Sequence, residues 1–201
     1  MQAILDSPDL LTESGERDRL LLMLFYNTGA RVSEIAGLKV QDVCLESRSS
    51  VHFLGKGRKH RSVPLWRQTV KLLRPWLRRG GVQPDSPLLP NAQGGAMSRS
   101  GIAQRLQIAV TRAAAKNPAL KLGRVSPHIL RHTTAMHLLL SGVELPTIAM
   151  WLGHESIQTT HQYLDADLES KRQALARLDP PRVRRQRRAQ AKPLMQFLKE
   201  L

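Results

Sequence analysis

Ser126-Pro127-His128-Ile129-Leu130-Arg131-His132 is the stretch on which the fold turns. Ser126 is a helix cap, and Pro127 after it lacks an amide hydrogen and has a φ already suited to a first turn. The helix begun there runs through Leu140 and stops at Ser141-Gly142. Spacing of i to i+3 places His128 and Arg131 on one of its faces. Downstream, residues 144–151, 156–164 and 167–178 read as further helices.

Upstream the pattern is again helical, with one interruption. Leu20, Leu21, Leu24 and Phe25 recur at helical spacing among charged residues, predicting a helix over 15–27 that ends at Thr28-Gly29, with Tyr26 in its core. A short helix over 31–38 would turn Val32, Ile35 and Ala36 inward and display Arg31 and Glu34 on one side. Residues 50–54 and 61–65 have strand content and are joined by Gly55-Lys56-Gly57-Arg58-Lys59-His60, which predicts a hairpin with a basic tip. A helix over 66–79 ends at Gly80-Gly81, a connection over 84–95 holds a short strand at Leu88-Leu89, and Ser98 caps a helix reaching about residue 115. The class is mainly α with a small antiparallel β-sheet, an α+β fold. One domain is expected over 1–179. Pro180-Pro181 then breaks the chain, and a basic linker leads to a short helix over 180–201 with Leu194, Phe197, Leu198 and Leu201 along one face.

Composition narrows the partners. Of 201 residues, 31 are Lys or Arg and 16 are Asp or Glu, a formal charge of +15 that suits a polyanion. Aromatic residues make up 4%, too few to stack successive bases of a single strand, so duplex phosphate is the expected partner. The longest apolar run, Leu20 to Phe25, falls far short of the roughly 20 residues of a membrane span, and with acidic Asp6 and Asp9 near the start no secretory leader is expected. One cysteine, Cys44, can form neither an internal disulfide nor a cysteine-based zinc site; it is expected to be a buried small hydrophobe in a cytoplasmic protein. His128 and His132 have the i, i+4 spacing of a zinc pair but no third ligand, and no Gly-rich loop ends in Gly-Lys-Ser/Thr. Neither a metal nor a nucleotide cofactor is expected.

Chemistry on a phosphodiester needs charge neutralised on the non-bridging oxygens, and two guanidiniums do this with planar, permanently charged donors. Arg31 follows the turn Thr28-Gly29-Ala30, and Arg131 shares a helix face with His128. Taken singly, a lone arginine at a helix start reads better as a solvated or salt-bridged surface residue, and His128 as a satisfied structural histidine.

Together, Thr28-Gly29-Ala30-Arg31-Val32-Ser33-Glu34-Ile35, Ser126-Pro127-His128-Ile129-Leu130-Arg131-His132, and Leu152-Gly153-His154 followed by Tyr163 resemble the tyrosine recombinase family, in its Xer and phage-integrase branch. The resemblance extends from about Leu10 to about Leu178, with the motifs in family order. It implies a mostly helical catalytic domain that cuts DNA with a tyrosine, forming a 3′-phosphotyrosyl bond and freeing a 5′-hydroxyl. Tyr163 would be the nucleophile, Arg31 and Arg131 the phosphate clamp, His128 an acid/base, and His154 a donor to a phosphate oxygen. Glu34 would brace the cations, or be an ordinary i, i+3 partner of Arg31. Such a site meets a physical need: a phenol of pKa about 10 is ionised only about one part in a thousand at pH 7, so attack requires cationic surroundings or a base.

The hairpin resembles the family's as well, which makes Lys56 the general acid for the departing oxygen; by its residues alone Lys59 competes for the role. Charge alone pairs Arg58, Lys59 and Arg61 with phosphates. Met97-Ser98-Arg99-Ser100 lies where relatives present a helix start to the major groove, so Arg99, Ser100 and Arg105 are candidate DNA contacts, against the alternative of a solvated face. Relatives carry an extra N-terminal core-binding domain that completes a clamp around DNA. It is expected to be absent here, leaving either a catalytic fragment or a naturally short recombinase. Partners implied are double-stranded DNA at a recombination site and a homotetramer or paired recombinase, with the terminal helix exchanged between protomers or folded back on its own core. Two rival functions are a DNA-binding regulator without turnover and a relaxing topoisomerase.

Overall fold

The computed structural model describes residues 1–46, 48–54, 60–79, 83–117 and 125–154. In chain order these form α1 (Gln2–Leu5), α2 (Glu13–Thr28), α3 (Val32–Ala36), a 3-10 turn (Val40–Asp42), β1 (Val43–Cys44), β2 (Ser50–Leu54), β3 (His60–Pro64), α4 (Arg67–Leu77), α5 (Arg99–Lys116), α6 (Pro127–Leu140) and α7 (Leu145–Leu152). All of them lie in one compact unit, Met1–Asp167. Helices with one small antiparallel sheet of order β1-β2-β3 make the expected α+β class.

Helix α2 is the spine. Leu20, Leu21, Leu22, Met23, Leu24 and Phe25 are all buried, an unbroken apolar run that only a helix covered on all sides tolerates. It packs against α1, α3, α4, α5 and α6. The Thr12 hydroxyl accepts from the Gly15 amide at its start, and at its end Gly29 adopts φ +58°. A Cβ on Gly29 would lie 2.5 Å from a Leu152 methyl, so both the backbone and the packing require glycine. Asn27, fully buried, joins three elements: its amide nitrogen donates to the Pro64 carbonyl (3.1 Å), and its side-chain oxygen accepts from the Trp66 amide and the Thr69 hydroxyl (2.8 Å each).

Period-two alternation in the sheet turns Val51, Phe53 and Val63 inward and His52, Leu54 and Ser62 outward. Arg61 pairs with Phe53 in this register and therefore belongs to the inner face. Its guanidinium carbon lies 4.5 Å above the Phe53 ring.

Several elements differ from expectation. β3 begins and ends one residue before the predicted 61–65, and β1 adds a third strand. Leu88 and Leu89 are buried but form no strand; isolated bridges Lys39↔Pro87 and Pro90↔Ala96 flank them. Helix α3 is shorter than 31–38, because Arg31 is its cap and Gly37 its end. The Cys44 side is only half-buried, since β1 lies at the sheet's edge. Tyr26 is half-buried as well: its ring packs edge-on against Trp66 and His137, and its hydroxyl is 2.7 Å from His137 Nδ1. The hairpin tip 55–59, the stop at Gly80-Gly81, the helices expected over 156–164 and 167–178, the boundary at 179 and the tail 180–201 lie outside the described residues.

Candidate functional site

The C-terminal end of α7 organises the site. A helix leaves its last carbonyls without intrahelical partners and gathers partial negative charge there. Gly153, at φ +66°, closes α7 in a Schellman arrangement: the His154 amide donates to the Ala149 carbonyl (3.0 Å) and the Gly153 amide to that of Met150 (3.2 Å). This turn fixes the backbone of His154. It also leaves the carbonyls of Trp151, Leu152 and Gly153 facing three arginines from three other elements.

Arg61 Nε donates to the Trp151 carbonyl (3.1 Å), Arg131 Nη2 to that of Leu152 (2.8 Å), and Arg31 Nη2 to that of Gly153 (3.1 Å). Arg131, on α6 and 6% exposed, also donates from Nη1 to the Gly29 carbonyl at 2.6 Å. The left-handed turn after α2 and the end of α7 thus grip it from two sides. Burying a guanidinium is costly unless its donors are satisfied, and these carbonyls satisfy two of them without cancelling its charge.

Arg31 is different. It caps α3 at the surface, with its amide donating to Glu34 Oε2 (2.6 Å) and its Nη1 to Glu34 Oε1 (3.2 Å). The reciprocal half of a capping box, a third-position glutamate reaching back to the cap amide, accounts for the first bond. Arg61 grips the same carboxylate at two points, Nη1 to Oε1 at 2.6 Å and Nη2 to Oε2 at 2.9 Å. Burial would push the Glu34 carboxyl up. Hydrogen bonds from Arg61 and from the Arg31 amide, with the charges of both guanidiniums, more than offset this and hold it below the ordinary carboxylate value. Glu34 therefore contacts both guanidiniums, and its contact with Arg31 is an i, i+3 pair.

His154 is half-buried, and burial together with the charges of Arg131, Arg31 and Arg61 pushes its pKa down to about 4. At neutral pH it is an uncharged imidazole with one donating and one accepting nitrogen. His128 is exposed in the first turn of α6, and His132, one turn on, is exposed too. Among the described residues no three His, Cys, Asp or Glu side chains converge on a metal position, and none of the helices is long and apolar enough to cross a membrane.

The remaining expected residues divide three ways. Arg99 and Ser100 are exposed at the start of α5, where the Ser98 hydroxyl accepts from the Gly101 amide. Arg105, expected toward DNA, turns inward: Nε donates to Asp18 Oδ2 at 2.6 Å and Nη2 joins the same buried carboxylate. Arg61, likewise expected on phosphate, is committed to Glu34 and Trp151. Sequence reasoning saw only its place beside a basic tip. The usable signal was its parity with Val63, which puts both on one face of β3. Lys56, Arg58, Lys59 and Tyr163 lie outside the described residues.

The chain is 42% identical over 180 residues to "Putative integrase/recombinase y4rC" of Sinorhizobium fredii, covering 90% of this chain and 54% of that protein. With tyrosine recombinase XerC of Myxococcus xanthus it shares 36% over 179 residues, 85% of this chain and 57% of the relative. The chain thus spans about half the length of the curated relatives it matches. The crystal structure of XerA recombinase superposes with a TM-score of 0.70 at 26% identity, covering 89% of this chain and 62% of that one. That of the XerH site-specific recombinase bound to difH substrate gives 0.69 at 25%, covering 89% and 52%. The Phage integrase family profile matches residues 1–170, enclosing all three arginines and the α7 turn that receives them, and the chain therefore belongs to the phage integrase family.

Proposed function

We propose that this chain is the part of a site-specific DNA recombinase that cleaves and rejoins strands through a 3′-phosphotyrosyl intermediate. The observation carrying this reading is the convergence of Arg31 and Arg131 on adjacent carbonyls, Gly153 and Leu152, beside a neutral His154. Two guanidiniums so placed offer donors to both non-bridging oxygens of one phosphate. In the proposed step the Tyr163 oxygen attacks phosphorus and gives up its proton, with His128 as the acid/base. The P–O5′ bond breaks, and Lys56 supplies a proton to the departing 5′-oxygen. His154 donates to a phosphate oxygen. Attack by a 5′-hydroxyl on the phosphotyrosyl ester reverses the sequence and joins strands without a metal or nucleotide.

The partner is duplex DNA, held by the basic hairpin tip with Arg58 and Lys59 and by Arg99 and Ser100 at the start of α5. Several protomers, as a homotetramer or with a second recombinase, would assemble on the site to integrate, excise, invert or resolve DNA in the cytoplasm. A duplex nicked near the cleavage position, which loses the short strand after cleavage, tests the chemistry. Wild-type protein is expected to form an adduct that survives denaturant, and Tyr163→Phe none. Binding by both proteins without an adduct from either would refute strand cleavage and favour a DNA-binding regulator.

A further inference from the structure

We infer that Arg61 is a positioning residue that keeps the charge of Arg31 available to phosphate by occupying Glu34. The inference rests on the proposed role of Arg31 as a phosphate ligand. One buried carboxylate faces two guanidiniums here: the Glu34 side chain is 5% exposed, that of Arg61 11%, and that of Arg31 43%. Arg61 holds the carboxylate with two short contacts, 2.6 and 2.9 Å, whereas the Arg31 guanidinium makes one of 3.2 Å. Parallel two-point contact between guanidinium and carboxylate is the stronger geometry, so most of the Glu34 charge is spent on Arg61.

The surroundings fix Arg61 in that task. It stacks on Phe53, its Nε is held by the Trp151 carbonyl, and a Cβ on Gly153 would lie 3.0 Å from its Cδ. Removing its charge while keeping its bulk leaves a buried carboxylate facing Arg31 as its remaining guanidinium in this pair of contacts. Attraction at low dielectric would then draw Arg31 inward, from the long contact to a close one, and neutralise the cation intended for phosphate. Arg61 acts on the reaction through Glu34 and Arg31, touching no reacting atom. It also ties β3 to the arginine pair.

A double-mutant cycle tests this with Arg61→Met and Glu34→Gln, reading the rate of adduct formation on the nicked duplex, the Kd for that duplex, and thermal melting. Arg61→Met alone is expected to slow adduct formation by about tenfold or more, and to weaken duplex binding, with Arg61→Lys intermediate. In the Glu34→Gln background, where no carboxylate remains to capture Arg31, the same Arg61→Met change should cost less than about threefold. An equal loss in both backgrounds would reduce Arg61 to a structural brace and overturn the inference. Should Arg61→Met fail to fold, comparing Glu34→Gln with the double variant still decides it, because neither holds a carboxylate able to capture Arg31: a loss of about tenfold between those two would overturn the inference. If wild-type protein forms no adduct, the phosphotyrosyl reading fails, while duplex affinity across the same four proteins still supports or overturns the role of Arg61.

Discussion

Arg131 and Arg31 end on neighbouring carbonyls of the α7 turn, yet one belongs to the floor of the molecule and the other to its rim. On the floor, between α2 and α6, Arg131 is held only 6% exposed by the Gly29 and Leu152 carbonyls, neutral acceptors that fix its direction and leave its charge intact. At the rim, between α3 and β3, Arg31 is 43% exposed and shares a carboxylate with Arg61. The floor cation is therefore coupled to folding and the rim cation chiefly to electrostatics. Under the proposed function the two would serve a phosphate differently, the buried guanidinium held by backbone carbonyls and the exposed one set at the surface.

The largest expected effect breaks the floor. Arg131→Met removes two charge-assisted bonds from a buried position and strands the carbonyls that received them, so it should cost about 3 kcal/mol of stability and abolish adduct formation. Chemical denaturation beside the nicked-duplex assay measures both. A variant that lost cleavage while melting like wild type would dissolve the distinction between floor and rim.

Arg31→Ala sharpens it from the other side. Glu34 keeps Arg61, so stability should change by about 0.5 kcal/mol or less, while adduct formation falls by about 100-fold, the scale of losing one transition-state donor. Equal effects on melting from Arg31→Ala and Arg131→Met would count against the comparison.

The smallest effect is a pH dependence. His154 has a folded pKa of about 4 against an ordinary value of 6.5. Above pH 6.5 it is neutral folded and unfolded and contributes nothing to the pH dependence. As pH falls from 6.5 toward 4 the unfolded chain takes up a proton that the folded one refuses, so stability declines across that window. Glu34, whose folded pKa is lowered, contributes stability above its ordinary value of 4.5 that is lost as pH falls through the folded pKa. Melting temperature followed from pH 7.5 to 4.5 should therefore fall less for His154→Gln than for wild type. Parallel curves would place the histidine in an ordinary environment.

Local signals carried much of this architecture. Ser126-Pro127 set the start of α6, and Thr28-Gly29 closed α2 within a residue of the expected end, because caps, prolines and left-handed glycines act on the nearest few peptide units. Arg31 and Glu34 were legible as a pair for the same reason. The long-range commitments were not. Arg105 finds Asp18 from 87 positions away, and Arg61 finds Glu34 from 27. Arg61 looked like a phosphate ligand and Arg105 like a major-groove contact, because charge and position say nothing about which carboxylate the fold will bring near. Leu88-Leu89 mimicked a strand because burial without pairing leaves the same apolar composition.

From its sequence alone, this chain is a basic, mainly helical protein with a hairpin, one arginine at a helix start, another sharing a helix face with a histidine, and the spacing of its family, since helix caps, periodicity and net charge need only neighbouring residues to take effect. Tertiary structure alone decided that Trp151, Leu152 and Gly153 would present consecutive carbonyls to Arg61, Arg131 and Arg31, the last of them across 122 positions. The reason is geometric: every arginine carries the same charge and the same donors, so which acceptor each one reaches is settled only when α7 is packed against α6 and β3.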